Sequence, residues 1–127
     1  MEHAAQDENR VSRSVVLELP WPPSLNRYWR RAGTHMHISN EGRAYRQAVA
    51  WAARLHCSFG RQRVAVEIQA FPPDSRRRDL DNTLKVVCDG LQAGRLIEDD
   101  AQIDDLRIVR GPMRKGEGAI LVTVSQA

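Results

Sequence analysis

The chain has 127 residues, enough for one domain, and its 42% apolar content can support a core. A formal net charge of +3 hides a skew: 17 of the 19 basic residues are Arg, and the acidic ones bunch between Asp74 and Asp105. No apolar run reaches the ~18 residues of a membrane span, no apolar N-terminal segment reads as a signal peptide, and two Cys without CxxC spacing exclude a zinc ribbon or a disulfide framework.

Met1 to Arg13 is polar and is expected to be a disordered tail, leaving residues 14–127 as the folded domain. Val15, Leu17 and Leu19 alternate with Val16 and Glu18, which predicts a first strand from Ser14 to Leu19. Pro20-Trp21-Pro22-Pro23 ends it, because consecutive prolines cannot continue a hydrogen-bonded ladder. Ser24 to Arg31 then reads as a loop in which aromatics are interleaved with arginines. Two readings stand side by side. Asn26, Arg27, Arg30 and Arg31 hold nucleic-acid phosphates while rings meet bases or sugars, or Trp21 and Tyr28 simply cover the edge of the core. His35-x-His37 and His56-Cys57 lack a second ligand cluster and are not read as a metal site.

Ser39 is placed as an N-cap, with Glu41 in the first turn of a helix running to about Phe59 and closed by Gly60. Its expected apolar stripe comprises Ala44, Tyr45, Val49, Trp51, Ala52, Ala53 and Leu55, with Arg43, Arg46 and Arg54 opposite. A structural cover over a sheet is the preferred role. Arg63 to Phe71 alternates as a half-buried strand, ended by Pro72-Pro73-Asp74-Ser75.

The most informative stretch follows, from Arg76 to Gly90. Three arginines, Arg76, Arg77 and Arg78, run into Asp79-x-Asp81 and then a helical pattern beginning near Leu80. Asp81, Lys85 and Asp89 fall four residues apart on one face, and Leu84, Val87, Cys88 and Leu91 form another face that can pack. The site so formed lies after a strand and before a helix, where ligands favour binding. It could bind a divalent cation and a phosphate together. The bland alternative is a solvated helix with Asp79 as N-cap and Asp81–Lys85 as an ordinary surface pair.

Gly94 ends that helix. Glu98 to Asp105 is too acidic to be expected inside a strand, so the third strand is placed at Leu106–Arg110 and the fourth at Ala119–Ser125. Gly111 to Gly118 between them reads as a hairpin turn whose tip carries Arg114 and Lys115. The expected fold class is α+β: a single domain, β-α-β-α-β-β, with a mixed four-stranded sheet and two helices on one face.

Hydrolysing a phosphodiester requires neutralising the phosphate and activating a water, and carboxylate-bound Mg²⁺ does both, with Mn²⁺ as a substitute. Asp79, Asp81 and Asp100 are expected to converge as such carboxylates, with Lys85 holding the phosphate or stabilising the developing charge. Without metal they repel one another, so added Mg²⁺ is expected to raise the melting temperature.

The sequence resembles the RusA family of Holliday junction resolvases. The residues that carry the resemblance are Leu19-Pro20-Trp21-Pro22-Pro23-Ser24-x-Asn26-Arg27-Tyr28, Arg76-Arg77-Arg78-Asp79-Leu80-Asp81-Asn82 with Lys85 and Asp89, and Asp99-Asp100-Ala101-Gln102-Ile103. The likeness spans Val15 to Val124. It implies a Mg²⁺-dependent endodeoxyribonuclease, a homodimer that binds four-way junction DNA and makes paired symmetric nicks in recombination and repair. It implies Asp79, Asp81 and Asp100 as metal ligands, Lys85 as an essential basic residue, and Asp89 and Asp99 as supporting acidic positions. Arg76, Arg77, Arg78, Arg114 and Lys115 join the loop residues as candidate DNA contacts. Cys57 and Cys88 without a partner motif fit a cytoplasmic protein, of a bacterium or its prophage. The competing readings are a junction- or duplex-binding module that does not cleave, and a metal-dependent phosphohydrolase of nucleotides.

Overall fold

The computed structural model describes residues 13–127. The elements are β1 (Ser14–Leu19), α1 (Leu25–Tyr28), β2 (Trp29–Ala32), β3 (His35–Ile38), α2 (Asn40–Arg54), β4 (Val64–Phe71), α3 (Asp81–Ala93), a 3-10 turn (Asp100–Gln102), β5 (Ile103–Arg110) and β6 (Ala119–Gln126). The expected α+β class holds, with a four-stranded sheet in the order β1-β6-β4-β5 and a separate ribbon of β2 and β3. The tail expected over 1–13 lies outside the described residues except for Arg13, whose guanidinium sits 4.2 Å over the Phe59 ring. No helix among the described residues is long and apolar enough to cross a membrane.

Alternation explains the layers. Val64, Val66, Ile68 and Ala70 of β4 are buried, as are Val15, Leu17 and Leu19 of β1 and Ile120, Val122 and Val124 of β6. Their neighbours along each strand stay partly or fully open, except Ala119 at the start of β6, which is buried. One sheet face is therefore covered, and α2 and α3 cover it with Tyr45, Val49 and Ala53 on one helix and Val86, Val87 and Leu91 on the other. β4 pairs with β5 in parallel, which makes β4-α3-β5 a crossover unit, while β6 runs antiparallel to both β1 and β4. The two helices touch at Gly90, where a Cβ would lie 2.4 Å from Val49 Cβ.

Several expectations are corrected. Ser24–Arg31 is not a loop: it holds α1 and the first strand of a ribbon whose two-residue turn is led by Gly33 at φ 63. The helix expected to reach Phe59 ends at Arg54, because Phe59 is pulled into the core and its N–H donates to Leu96 O at 2.9 Å. Trp51 and Leu55 are not in the apolar stripe; they are 60% and 82% exposed. The third strand starts at Ile103, so Asp104 and Asp105 are strand residues. An edge strand tolerates them because Asp104 accepts from Arg63 and Asp105 faces water. Gly111–Gly118 is not a hairpin turn, since β4 separates β5 from β6. The segment crosses the end of β4 instead, with Arg114 N–H donating to Pro72 O at 2.8 Å and Gly116 N–H to Pro73 O at 2.9 Å.

Candidate active site

That crossing sets up the site. It carries Lys115 to the end of β4, beside the loop that leads into α3. The Pro20–Ser24 segment reaches the same place from β1, anchored where the Tyr45 hydroxyl donates to Pro20 O at 2.8 Å. Between these walls lies a groove of about 1370 Å³, with Arg27, Arg76, Arg77, Arg78 and Lys115 among its lining residues beside Asp79 and Asn82. Five of the cations singled out in the sequence thus share one groove. Arg30 and Arg31 do not; they lie on the exposed ribbon. Arg114 is turned away, 3.3 Å from Glu18 and 4.3 Å over the Phe71 ring. Asn26 is exposed on α1.

The groove cations divide into two kinds. Arg78 is held: it donates to Asp74 at 2.6 and 3.0 Å, lies 5.5 Å from the Trp21 ring, and its carbonyl accepts from Arg110 at 2.8 Å. These bonds keep the Asp74 carboxyl well below the usual carboxylate range, with help from the Arg76 N–H, and raise Arg78. Arg78 therefore shapes the groove wall. Arg27, Arg77 and Lys115 have no ion-pair partner among the described residues, and Arg76 reaches Asp74 only at 3.6 Å. They are exposed and available to phosphate.

The start of α3 is open. Its N-cap is Leu80, with no side-chain cap, so Asp79 does not serve that role. Thr83 Oγ1 turns back to donate to Leu80 O at 2.7 Å. Asp81 and Lys85 are exposed, one turn apart, and form no ion pair with each other. The surface-pair alternative is therefore not what the side chains do. Asp89, two turns on from Asp81, is engaged: it accepts from the buried Tyr28 hydroxyl and lies 3.8 Å from Arg46. Burial, with the Asp89 bond adding to it, pushes Tyr28 far above the usual phenol range, so it remains a donor.

The acidic segment after α3 is ordered from within. Asp99 accepts from Ala101 N–H at 2.8 Å, which lowers its pKa, with the neighbouring Asp100 side chain contributing. Gln102 is buried; its Oε1 accepts from Glu98 N–H and Asp99 N–H, and its Nε2 donates to Gly60 O and Gln62 O. Glu98 pairs with Arg61 at 2.8 Å. Asp100 is left exposed without an ion pair among the described residues. Its charge is felt at Cys88 of α3, whose thiol is pushed up to about 11 by burial first and by Asp100 second. Cys88 is two turns from Asp81, about 10 Å along the helix. Accordingly, no three His, Cys, Asp or Glu side chains among the described residues gather into a ready-made metal cluster. Mutual repulsion of uncompensated carboxylates favours that spread.

Residue types alone did not single out Asp74, Tyr45 and Gln102 as organisers of the site. Gln102 was visible only as part of a motif, and the other two act through contacts across 4 and 25 residues.

A small α+β domain whose basic groove is lined by the unpaired Asp79 has the features of proteins that act on polyanions. The family described as Endodeoxyribonuclease RusA matches residues 20–125, and the chain belongs to it. A protein of Enterobacteria phage HK97 named crossover junction endodeoxyribonuclease rusA is 48% identical over 73% of this chain and 79% of its own. Proteins with the same name from Escherichia coli (strain K12) and Enterobacteria phage 82 are each 42% identical over 87% of this chain and 92% of theirs. A thiamine-monophosphate kinase from Stenotrophomonas maltophilia K279a gives a TM-score of 0.34 at 15% identity, over 94% of this chain and 32% of that one, which bears on neither fold nor function.

Proposed function

We propose that the chain is a structure-selective endodeoxyribonuclease that resolves four-way DNA junctions by paired symmetric nicks. The observation that carries this reading is the meeting of exposed cations with an unpaired carboxylate: Arg27, Arg76, Arg77 and Lys115 line the groove that Asp79 enters, and Asp81 follows at the open start of α3. The names of the relatives support the substrate and the reaction.

The donor set suits a hard divalent cation. Asp79, Asp81 and Asp100 offer only oxygen, and all three are exposed. Mg²⁺ is commonly held by one or two carboxylates plus waters and substrate phosphate, so a preformed three-carboxylate cage is not required. Asp79 and Asp81 would hold it, with Asp100 as the third carboxylate and Mn²⁺ as a substitute. When bound, the ion supplies neutralisation of the phosphate and a water of lowered pKa. The chain does the rest. The groove arginines and Lys115 bind the strand through its phosphates. Arg78, locked to Asp74, keeps Trp21 and the Pro20–Ser24 wall in place. Lys85 stabilises the charge that develops on the phosphate and leaving oxygen. Asp89 and Asp99 position α3 and the turn bearing Asp100. A two-fold homodimer would supply two such sites for two symmetric nicks. Free thiols at Cys57 and Cys88 support a cytoplasmic setting.

The test is cleavage of a synthetic mobile four-way junction in Mg²⁺, against linear duplex, with Asp81→Asn beside the wild type. Paired nicks on the junction alone, absent in the variant while binding persists, are expected. Wild-type activity in Asp81→Asn overturns the metal assignment. Tight binding without cutting by either protein favours a non-cleaving DNA-binding module.

A further inference from the structure

The groove leaves one cationic feature unused. β2 and β3 form a two-stranded ribbon in which every residue from Trp29 to His37 is exposed, an unusual allocation of surface for a segment containing Trp and Met. Its register sorts the side chains. Arg30 stands opposite His37 and Ala32 opposite His35, so these share one face; Trp29 opposite Ile38 and Arg31 opposite Met36 share the other. The second face is rooted, since the Trp29 ring meets Tyr28 edge-on at 5.2 Å and Ile38 packs on the core. Beyond that root the Arg31–Met36 pair projects freely, and Met36 is 59% exposed. On the first face, Arg30, His37 and Arg43 line a shallow hollow of about 400 Å³ at the start of α2, with Glu41 the acidic side chain there.

A ribbon of this kind is narrow enough to enter a DNA groove. Exposed apolar side chains beside arginines are suited to bases that have lost a stacking partner, and such side chains commonly wedge between base steps. Closed duplex offers no such bases, whereas the branch point of a junction does. Resting on the resolvase reading, we infer that the β2–β3 ribbon is a junction-sensing arm. Its Arg31–Met36 face enters the branch point, where Met36 covers an unstacked base, and its Arg30–His37 face holds phosphates of the adjoining duplex together with Arg43.

The test uses the full chain and a junction carrying 2-aminopurine at the branch point, whose fluorescence reports unstacking. Wild-type protein is expected to raise the signal. Met36→Ala is expected to lose the rise and bind the junction about tenfold more weakly, the scale of one base-stacking contact, with duplex affinity unchanged. Met36→Leu should keep both properties, Leu55→Ala should behave as wild type, and Arg30→Ala should weaken junction and duplex alike. A Met36→Ala protein with wild-type signal and affinity, or with equal loss on duplex, overturns the inference. Junction cleavage by the wild type is measured alongside. Cutting with a neutral Met36→Ala removes the ribbon role alone, whereas a wild type that neither binds nor cuts the junction overturns both readings.

Discussion

The two long helices lie side by side on one face of the sheet, yet they begin in opposite ways. α2 is closed at its start. Ser39 is buried, its Oγ accepts from Gly42 N–H at 2.9 Å, and its hydroxyl lies 2.9 Å from Tyr28 O, which accepts its proton. α3 has Leu80 as its N-cap, with no side-chain cap, and exposes Asp81 in its first turn. The first turn of a helix leaves unpaired N–H groups and a partial positive charge. In α2 a buried side chain caps one of them; in α3 no side chain does, the Asn82 and Thr83 N–H groups reaching only the carbonyls of Asp79 and Leu80, and Asp81 stands exposed beside the groove that Asp79 lines. One helix is built for packing and the other trades some local stability for a site.

The comparison is tested hardest at Lys85. If the exposed face of α3 performs chemistry, Lys85→Ala lowers kcat about 10²–10³-fold and KM little; steady-state cleavage kinetics that show equal losses of affinity would make it a plain phosphate contact. The contact between the helices comes next. Gly90→Ala gains up to ~1 kcal/mol of helix propensity but places a Cβ 2.4 Å from Val49 Cβ, which is fixed to its backbone. Overpacking of about 1–3 kcal/mol therefore dominates, and a lowered urea midpoint is the expected reading. Ser39→Ala should cost about 1–2 kcal/mol while the folded fraction keeps its cleavage rate; a rate that falls with the cap would erase the distinction between the helices. The smallest effect is acidic. Asp74 has a depressed folded pKa, so its bond to Arg78 contributes stability fully above the ordinary carboxylate value of about 3.9 and loses it as the pH falls through the folded one. Tryptophan fluorescence, which includes Trp21 against Arg78, should hold from neutral pH to about 4 and change below; in Asp74→Asn that acid change should be smaller, the lowered Asp99 and Asp104 carboxyls supplying the rest.

Local pattern made a large part of the molecule legible. Period-two alternation placed β1 and β4 to within a residue, and the 3.6-residue period put Val87, Cys88 and Leu91 on the buried side of α3 and Asp81 and Lys85 outside. Ser39 could be assigned as a cap because its side chain bonds only three residues ahead. Such features depend on neighbours in sequence, and the local order of residues is enough to find them. The family motifs were legible for the same reason, as short runs with fixed spacing.

What the chain order could not convey is which segments meet. The β5–β6 connection has the glycines of a hairpin, yet β6 inserts between β1 and β4, and that choice alone brings Lys115 to the groove. Trp51 sits amid apolar neighbours but points to water, because the core takes only the stripe through Tyr45, Val49 and Ala53. Asp74, Asp79, Asp89 and Asp100 are alike as residues. Only the tertiary structure engages Asp74 with Arg78 and Asp89 with Tyr28, and leaves Asp79 and Asp100 free of ion pairs among the described residues. Side-chain chemistry determined which residues could act. The energy of packing one covered sheet face, a sum over contacts between segments far apart in sequence, decided which of them are left free to do so.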